Sequence, residues 1–528
     1  MSIIIKNLTY LHTDKELLFK SLYLSLNKGE KIGLVGNNGT GKSTLFKIIT
    51  KELSFSSGEL YCSVAPYYVP QHFGQYDHLS VAEAIHIDKK LRALCAILQG
   101  DVSAENYASL NDDWNIEERL QNALSIWDLT HISASQKLGT MSGGEKTRLF
   151  LAGITLHEPE IILLDEPSNH LDYISKGKLY NLLKDSKATV MVISHDRTLL
   201  NLLPAIYELH KDRIACYPGN YENYKIQKEQ ERDALHEKIK EQEKSLRTAR
   251  KIACEMTERK QKQDIRGKKH SAKKGVGKMA MNALRDRSEK SGSKLKDIHE
   301  EKTSSIKEKL MEFRSVLPNV KLMKTDFNTS PLHYGKTLIE GQNVRFSYDK
   351  EYVWKMPLNF LIKSGDRIAI TGRNGSGKTT LLKLMLGVLN PSEGIIEKAA
   401  FKYSYLDQEY SMIDDKLTVF EQLSCFNTSL QDHEVKAILN RFLFSFDMWD
   451  ELCGKLSGGE RMKLALCCLM VDTNTPDLFI LDEPTNNIDI QNIEVLTAMV
   501  KEFKGTVVLI SHDAYFVEQI GIDYSIAL

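Results

Sequence analysis

No stretch of this chain approaches the roughly 18 consecutive apolar residues of a membrane-spanning helix. The most apolar runs, such as Ile161 to Leu164, are strand-sized and flanked by charge. A self-contained membrane pump is therefore not expected. The opening residues MSIIIKNLTY contain no basic region, long apolar run or small-residue cleavage site, so no secretory signal is read there. None of the 8 cysteines stands in a CxxC pair. Scattered thiols of this kind argue against a disulfide framework or a zinc site; they are read as small buried hydrophobes in a reducing, cytoplasmic setting. Net charge is absent as well, 70 Lys and Arg balancing 70 Asp and Glu. What remains is a chain of 528 residues with 42% apolar content, enough for two to four domains with their own cores.

The neutral total conceals an uneven distribution. Residues 221–320 hold 27 Lys and Arg against 17 Asp and Glu, whereas the remainder holds 43 against 53. From Arg259 to Lys296 the balance is 14 to 3. A basic middle between acidic flanks points to an anionic partner, the alternative being a charge run that is only a solvated face.

The chain also repeats itself. GNNGTGKS, from Gly36 to Ser43, and GRNGSGKT, from Gly372 to Thr379, both fit G-x-x-x-x-G-K-[S/T]. Each follows a strand-like run (KIGLV, RIAIT) and opens into a helical pattern, the context that makes such a match a phosphate-binding P-loop. The residues expected to cradle phosphates are Gly36, Asn37, Asn38, Gly39, Thr40, Gly41, Lys42, Ser43 and Thr44 in the first half. In the second they are Gly372, Arg373, Asn374, Gly375, Ser376, Gly377, Lys378, Thr379 and Thr380. Backbone N–H groups and the helix N-terminus meet the phosphates, with Lys42 and Lys378 as point charges. Ser43 and Thr379 offer a hydroxyl to Mg²⁺.

The same companions follow each P-loop in the same order. Gln71 lies 29 residues after Lys42 and Gln408 lies 30 after Lys378. MSGGE and LSGGE come next, then IILLDEPSNHLD and LFILDEPTNNID, then two copies of ISHD. From Asp165 to His195 and from Asp482 to His512 is 30 residues in both cases. The chain is thus read as a tandem duplication of a nucleotide site. Asp165 and Asp482, ending apolar strands beside the P-loops, suit Mg²⁺, together with Gln71 and Gln408. Glu166 and Glu483 are placed to act as general bases on an attacking water. His195 and His512 are placed to orient that water at the γ-phosphate. The SGGE segments precede amphipathic runs, which puts Ser142, Gly143 and Gly144, and likewise Ser457, Gly458 and Gly459, at a helix N-terminus. This is either a plain N-cap or a second phosphate-binding surface.

P-loop, Gln, SGGE, strand-DEP and SHD in this order resemble ATP-binding cassettes. With two cassettes, no membrane domain and a charged connector, the whole chain resembles the ABC-F family. The resemblance implies an α/β fold: two P-loop ABC nucleotide-binding domains joined by an antiparallel α-helical hairpin linker. It further implies closure of the cassettes head-to-tail on two ATP molecules with Mg²⁺. One site would pair Lys42, Asp165, Glu166 and His195 with Ser457 and Gly459; the other would pair Lys378, Asp482, Glu483 and His512 with Ser142 and Gly144. Adenine would stack on Tyr10 and Tyr348. The family's usual PTNHLD reads with Ser168 in the first half and with Asn487 and Ile488 in the second.

The domains are read as 1–220, 221–320 and 321–528. The middle segment carries apolar stripes at Leu235, Ile239, Leu246 and Ile252, then at Leu295, Ile298, Ile306, Leu310, Phe313 and Leu317, around a tip broken by Gly267, Gly275, Gly277 and Gly292. Lys268, Lys269, Lys273 and Lys274 are its candidate RNA contacts, to phosphate backbone rather than to bases. By the resemblance, this hairpin would enter the ribosomal tRNA exit site, among ribosomal RNA and tRNA, the chain acting as a monomer. The first half is longer by 21 residues between P-loop and SGGE, a surplus assigned to a short arm at residues 91–120. The resemblance leaves open whether the activity serves translation itself or antibiotic protection. Rival readings are the ATPase subunit of an ABC exporter and a DNA-repair-associated ATPase.

Overall fold

A computed structural model describes residues 1–12, 17–101, 103–273, 301–311, 313, 333–349, 351–408, 410–442, 444–471, 476–486 and 488–528. The chain divides into two compact units, residues 1–224 with 320–528, and residues 225–319.

The first unit contains both cassettes. In the first cassette β1 (Ile3–Leu11), β2 (Leu17–Leu26) and β4 (Ser57–Cys62) form an antiparallel sheet in the order β2-β1-β4. The larger sheet contains β3 (Lys31–Val35), β5 (Tyr67–Val69), β6 (Ile161–Asp165), β7 (Thr189–Ile193), β8 (Ala205–Leu209) and β9 (Ile214–Pro218). Its order is β5-β6-β7-β3-β8-β9, parallel except between β8 and β9. The helices used below are α1 (Lys42–Ile49), α2 (Val81–Ala84), α3 (Asp88–Leu98), α4 (Ala104–Leu110), α5 (Ile116–Ile126), α6 (Gly143–His157), α7 (Tyr173–Asp185) and α8 (Arg197–Leu200).

The second cassette repeats this plan. β10 (Thr337–Arg345), β11 (Leu358–Lys363) and β13 (Glu393–Lys398) form the antiparallel sheet. β12 (Arg367–Thr371), β14 (Tyr403–Leu406), β15 (Leu478–Asp482), β16 (Thr506–Ile510) and β17 (Tyr524–Ala527) form a parallel sheet in the order β14-β15-β16-β12-β17.

The central strands read as unbroken apolar runs because both faces of the parallel sheet are covered. In β6, Ile161 and Leu163 enter one core with Phe19, Leu34 and Phe46. Ile162 and Leu164 enter the other, with Leu149, Val190 and Leu199. β15 divides likewise, Leu478 and Ile480 on one side, Phe479 and Leu481 on the other. Each such side chain contributes on the order of 1.5–3 kcal/mol when buried, so a one-residue slip that exchanged the two faces would be costly. The strand ends that carry Asp165 and Asp482 are thereby fixed.

The second unit is helical where described. α9 (Tyr221–Lys273) runs for 53 residues, and residues 301–311 form α10. Leu246 and Leu310 are buried, whereas Ile252 is exposed and does not join the apolar stripe expected of it. Gly267 does not break the helix, which continues to Lys273. A single glycine costs only about 1 kcal/mol in a helix otherwise rich in Lys, Gln and Arg. Lys268, Lys269 and Lys273 therefore lie in the last turns of α9. Lys274, Gly275, Gly277 and Gly292 lie outside the described residues, as do Leu295, Ile298 and Leu317.

Two further expectations meet the structure. Residues 91–120 are covered by most of α3, by α4 and by the start of α5, pinned by Asp113, which pairs with Lys90 at 2.7 Å and Arg119 at 2.8 Å. The cysteines are all free, but only Cys453, Cys467 and Cys468 are buried. Cys95, Cys216, Cys254 and Cys425 are exposed, because neighbouring apolar residues on a strand or helix do not fix which face a thiol occupies.

Candidate active sites

The P-loops follow β3 and β12, and their helices α1 and α11 (Lys378–Leu386) start at the two lysines. Gly41 and Gly377 cap these helices at φ 88° and 89°. A Cβ at Gly41 would stand 2.6 Å from Phe19, and one at Gly377 2.5 Å from Val353, so both conformation and space require glycine. Lys42 Nζ donates to the carbonyls of Gly36 at 2.7 Å and Asn37 at 3.1 Å, curling the loop around its own ammonium. Lys378 does the same with Gly372 at 3.0 Å and Arg373 at 3.1 Å, and also lies 3.3 Å from His512 Nε2. Burial lowers the pKa of both lysines.

Strand order places the acids. β7 lies between β6 and β3, so Asp165, the P-loop and His195 sit at the carboxyl ends of three neighbouring strands. Glu166 and Glu483 adopt left-handed backbone, φ 50° and 49°, which turns each side chain away from the strand direction. Their N–H groups are tied to Ile193 O and Ile510 O at 2.8 Å. One carboxylate oxygen of each accepts the backbone N–H of the partner histidine at 3.3 Å. The imidazole Nε2 lies 3.4 Å from the other oxygen in the first site and 3.3 Å in the second.

Burial dominates the electrostatics here. It pushes the Glu166 carboxyl up to about 8, against the pull of Lys42, and Glu483 up to about 7, against Lys176 and Lys378. His195 falls to about 3 and His512 to about 4, again chiefly by burial, so both imidazoles are neutral near pH 7. A carboxylate poised near neutrality beside a neutral imidazole suits proton abstraction from water.

The donors at each P-loop fit a hard cation. Ser43 hydrogen-bonds Asp165, and Thr379 Oγ1 donates to Asp482 Oδ2 at 3.4 Å. Asp165 Oδ1, Glu166 Oε1 and Glu483 Oε1 are buried with no hydrogen-bond partner. Gln71 lines the first pocket; Gln408 is exposed. Among the described residues no group of three or more His, Cys, Asp or Glu could hold a metal alone. One hydroxyl, one carboxylate and one amide instead suit Mg²⁺ completing its shell with phosphate oxygens and water.

Each SGGE segment faces the other half's P-loop. Ser142 caps α6, accepting Glu145 N–H while Glu145 accepts Ser142 N–H at 2.8 Å, and Ser457 and Glu460 do the same at α14 (Gly458–Val471). Ser457 lines a cavity of about 400 Å³ together with Lys42, Ser43, Gln71, Glu166 and His195. On the other side, Asn374 Nδ2 donates to His170 O at 2.8 Å, and a Cβ at Gly144 would lie 3.5 Å from Asn374 Nδ2. Asn38 N–H reaches Asp489 Oδ2 at 3.5 Å.

The aromatic expectations divide. Tyr348 is 64% exposed, its hydroxyl 3.0 Å from Thr380 Oγ1, with its ring free to be covered. Tyr10 packs on Phe19 and His12, and it is His12 with Leu18 that walls the first pocket. Sequence reasoning passed over Tyr68 and Tyr405, whose hydroxyls donate to Asp165 at 3.3 Å and Asp482 at 3.1 Å. Both stand three residues before the glutamines, a duplicated spacing that could have found them. Trp354, whose indole N–H holds Ser376 O at 2.8 Å, left no such signal.

Two nucleotide-binding cassettes of the ATP-binding-cassette class, facing one another within one chain, are what this geometry defines. The ABC transporter family profile matches residues 19–169 and 356–486. ABC transporter F family member 5 of Arabidopsis thaliana is 30% identical over 533 residues, covering 95% of this chain and 72% of that protein. ATP-binding protein Uup of Escherichia coli strain K12 is 29% identical over 543 residues, covering 98% and 79%. The archaeal ribosome recycling factor aABCE1, solved with the ribosomal stalk protein aP1, superposes with a TM-score of 0.59 at 19% identity, covering 99% and 87%, a likeness of fold. The chain belongs to the ABC-F family of tandem-cassette ATPases. Among the described residues no helix is long and apolar enough to cross a membrane.

Proposed function

We propose that this chain hydrolyses ATP to ADP and phosphate at two composite sites, that closure on ATP fastens it to the ribosome, and that hydrolysis releases it. The observation that carries the hydrolytic part is the cavity in which Lys42, Glu166 and His195 of one half meet Ser457 of the other. Lys42 and Lys378 hold phosphate oxygens. Glu166 and Glu483 accept the proton of the attacking water, which His195 and His512 keep in line. Ser457 and Ser142, at their helix N-termini, stabilise the charge on the departing phosphate. Mg²⁺, held by Ser43, Asp165 and Gln71 or by Thr379, Asp482 and Gln408, would neutralise phosphate charge when bound.

The ribosomal part rests on family membership and on charge. The excess of 14 basic over 3 acidic residues between Arg259 and Lys296 sits in a chain otherwise acidic. In a cytoplasmic protein such a segment is suited to ribosomal RNA and tRNA phosphates at the tRNA exit site. Co-sedimentation with ribosomes in a non-hydrolysable ATP analogue tests this. Replacing Lys268, Lys269, Lys273 and Lys274 with Gln is expected to weaken binding and to flatten the slope of log affinity against log salt by about 3. Unchanged affinity and slope would refute these contacts. Growth of a sensitive host against drugs of the peptidyl-transferase region separates protection from a role in translation itself.

A further inference from the structure

α7 follows Asp172 of the first cassette, and Lys176 lies in its first turn. The Lys176 side chain is only 12% exposed. Its ammonium donates to the backbone carbonyl of His512 at 3.1 Å, crossing from one cassette to the other. It also lies 3.8 Å from Asp196 Oδ2. Asp196 directly follows His195 of the first site; its Oδ2 accepts the Tyr180 hydroxyl at 2.6 Å and its Oδ1 caps α8 through Thr198 N–H at 2.9 Å. The half-buried ammonium of Lys176 thus joins the ISHD segment of one site to that of the other.

The duplicated unit breaks its symmetry at this point. Four residues after Asp489, where Lys176 would have its counterpart, stands Ile493, fully buried and apolar. Eight residues after Asp489, in place of Tyr180, stands Thr497, whose hydroxyl turns back to Ile493 O at 2.7 Å. The first cassette thus grips the second cassette's histidine segment by an ammonium, and the second returns nothing of that chemistry from α15 (Ile490–Glu502). Such a cation is no loose surface pair: its desolvation is offset only while carbonyl and carboxylate both stay in place. Any movement of either ISHD segment would leave it short of a partner.

We propose that Lys176 is a positioning residue for the second ATP site. It holds the His512 backbone, and through it the Glu483–His512 pair, in register with Asp196. Hydrolysis at the Lys378 site is thereby linked to the placement of the first site's ISHD segment, whereas Asp196 keeps the Tyr180 hydroxyl and its α8 cap when the lysine is removed. The inference rests on the assignment of Glu166 and Glu483 as the hydrolytic bases.

Steady-state ATP turnover in two backgrounds tests it. With Glu166→Gln only the second site turns over; there Lys176→Met is expected to lower kcat about 10-fold or more with KM changed less than about 2-fold, the signature of a misplaced reacting group. Lys176→Arg, which keeps a cation of similar reach, should recover most of that loss. In the Glu483→Gln background, where only the first site turns over, Lys176→Met should cost less than about 2-fold in kcat. Thermal unfolding of each variant separates misfolding from misplacement. Equal losses in both backgrounds, no loss in the first, or an Arg variant as impaired as the Met variant would overturn the proposal. Turnover that survives the two Gln substitutions together would refute the base assignment, and the proposal with it.

Discussion

The two cassettes are copies whose catalytic atoms agree closely and whose surroundings do not. Both glutamates take φ near 50°, both bond a histidine N–H at 3.3 Å, and both aspartates receive a tyrosine hydroxyl. Around them, Lys378 reaches His512 while Lys42 bonds its own loop, His12 walls the first pocket while Tyr348 bonds Thr380 with its ring exposed, and Lys176 has the buried, apolar Ile493 as its counterpart. Duplication has kept the geometry needed to meet phosphate and water, and has relaxed the means by which each cassette addresses the other. Two sites built alike need not act alike.

The comparison is put to its hardest test by removing both bases. Glu166→Gln with Glu483→Gln should leave ATP binding intact and lower turnover by at least about 100-fold, measured by phosphate release beside equilibrium nucleotide binding. Normal turnover would remove the glutamates from the mechanism. A smaller effect separates the sites. Ser457→Arg should weaken nucleotide trapping at the Lys42 site by about 10-fold, equivalent to roughly 1.4 kcal/mol, while sparing the Lys378 site. Ser142→Arg should do the reverse, and a swap of these outcomes would mean that each cassette serves its own P-loop.

The smallest effect is on stability. Glu166 titrates near 8 in the fold against an ordinary 4.5, so between those values the folded chain holds the extra proton and stability falls as pH rises. His195, held at about 3 against an ordinary 6.5, acts in the opposite sense, but only below 6.5. From pH 6.5 to 8 the glutamate acts without that opposition. The melting temperature of the nucleotide-free protein should fall across this window, and Glu166→Gln should reduce the fall by about 1–2 °C. An identical profile in the variant would contradict the buried, protonated carboxyl.

Much of this was legible because the chain states its motifs twice. Order and spacing placed the P-loops, the strand-ending acids and the ISHD histidines, and the S-x-x-E pattern announced the caps at Ser142 and Ser457. The aromatic of the first site is harder to place, because β1 carries register shifts on both sides of Tyr10, and such irregularities re-aim side chains. The ring turned to Phe19, and His12 came to the wall. Lys176 was illegible for a different reason. Its partner carbonyl is 336 residues away, and a lysine in a helix's first turn reads as a solvated surface charge until the cassettes meet. The exposed cysteines belong with Tyr10: composition around a residue does not say which face it takes.

The left-handed backbone at Glu166 and Glu483 has a consequence for how this fold can change. A non-glycine residue in that region carries a conformational penalty of about 1–2 kcal/mol, and the buried carboxyl adds its own. Glycine would relax the first and abolish the second, so part of the folding stability is given up at these two positions to keep an acid in place. Each glutamate is instead pinned in place by its N–H bond to the neighbouring strand at 2.8 Å, so the strained conformation is held by the sheet itself.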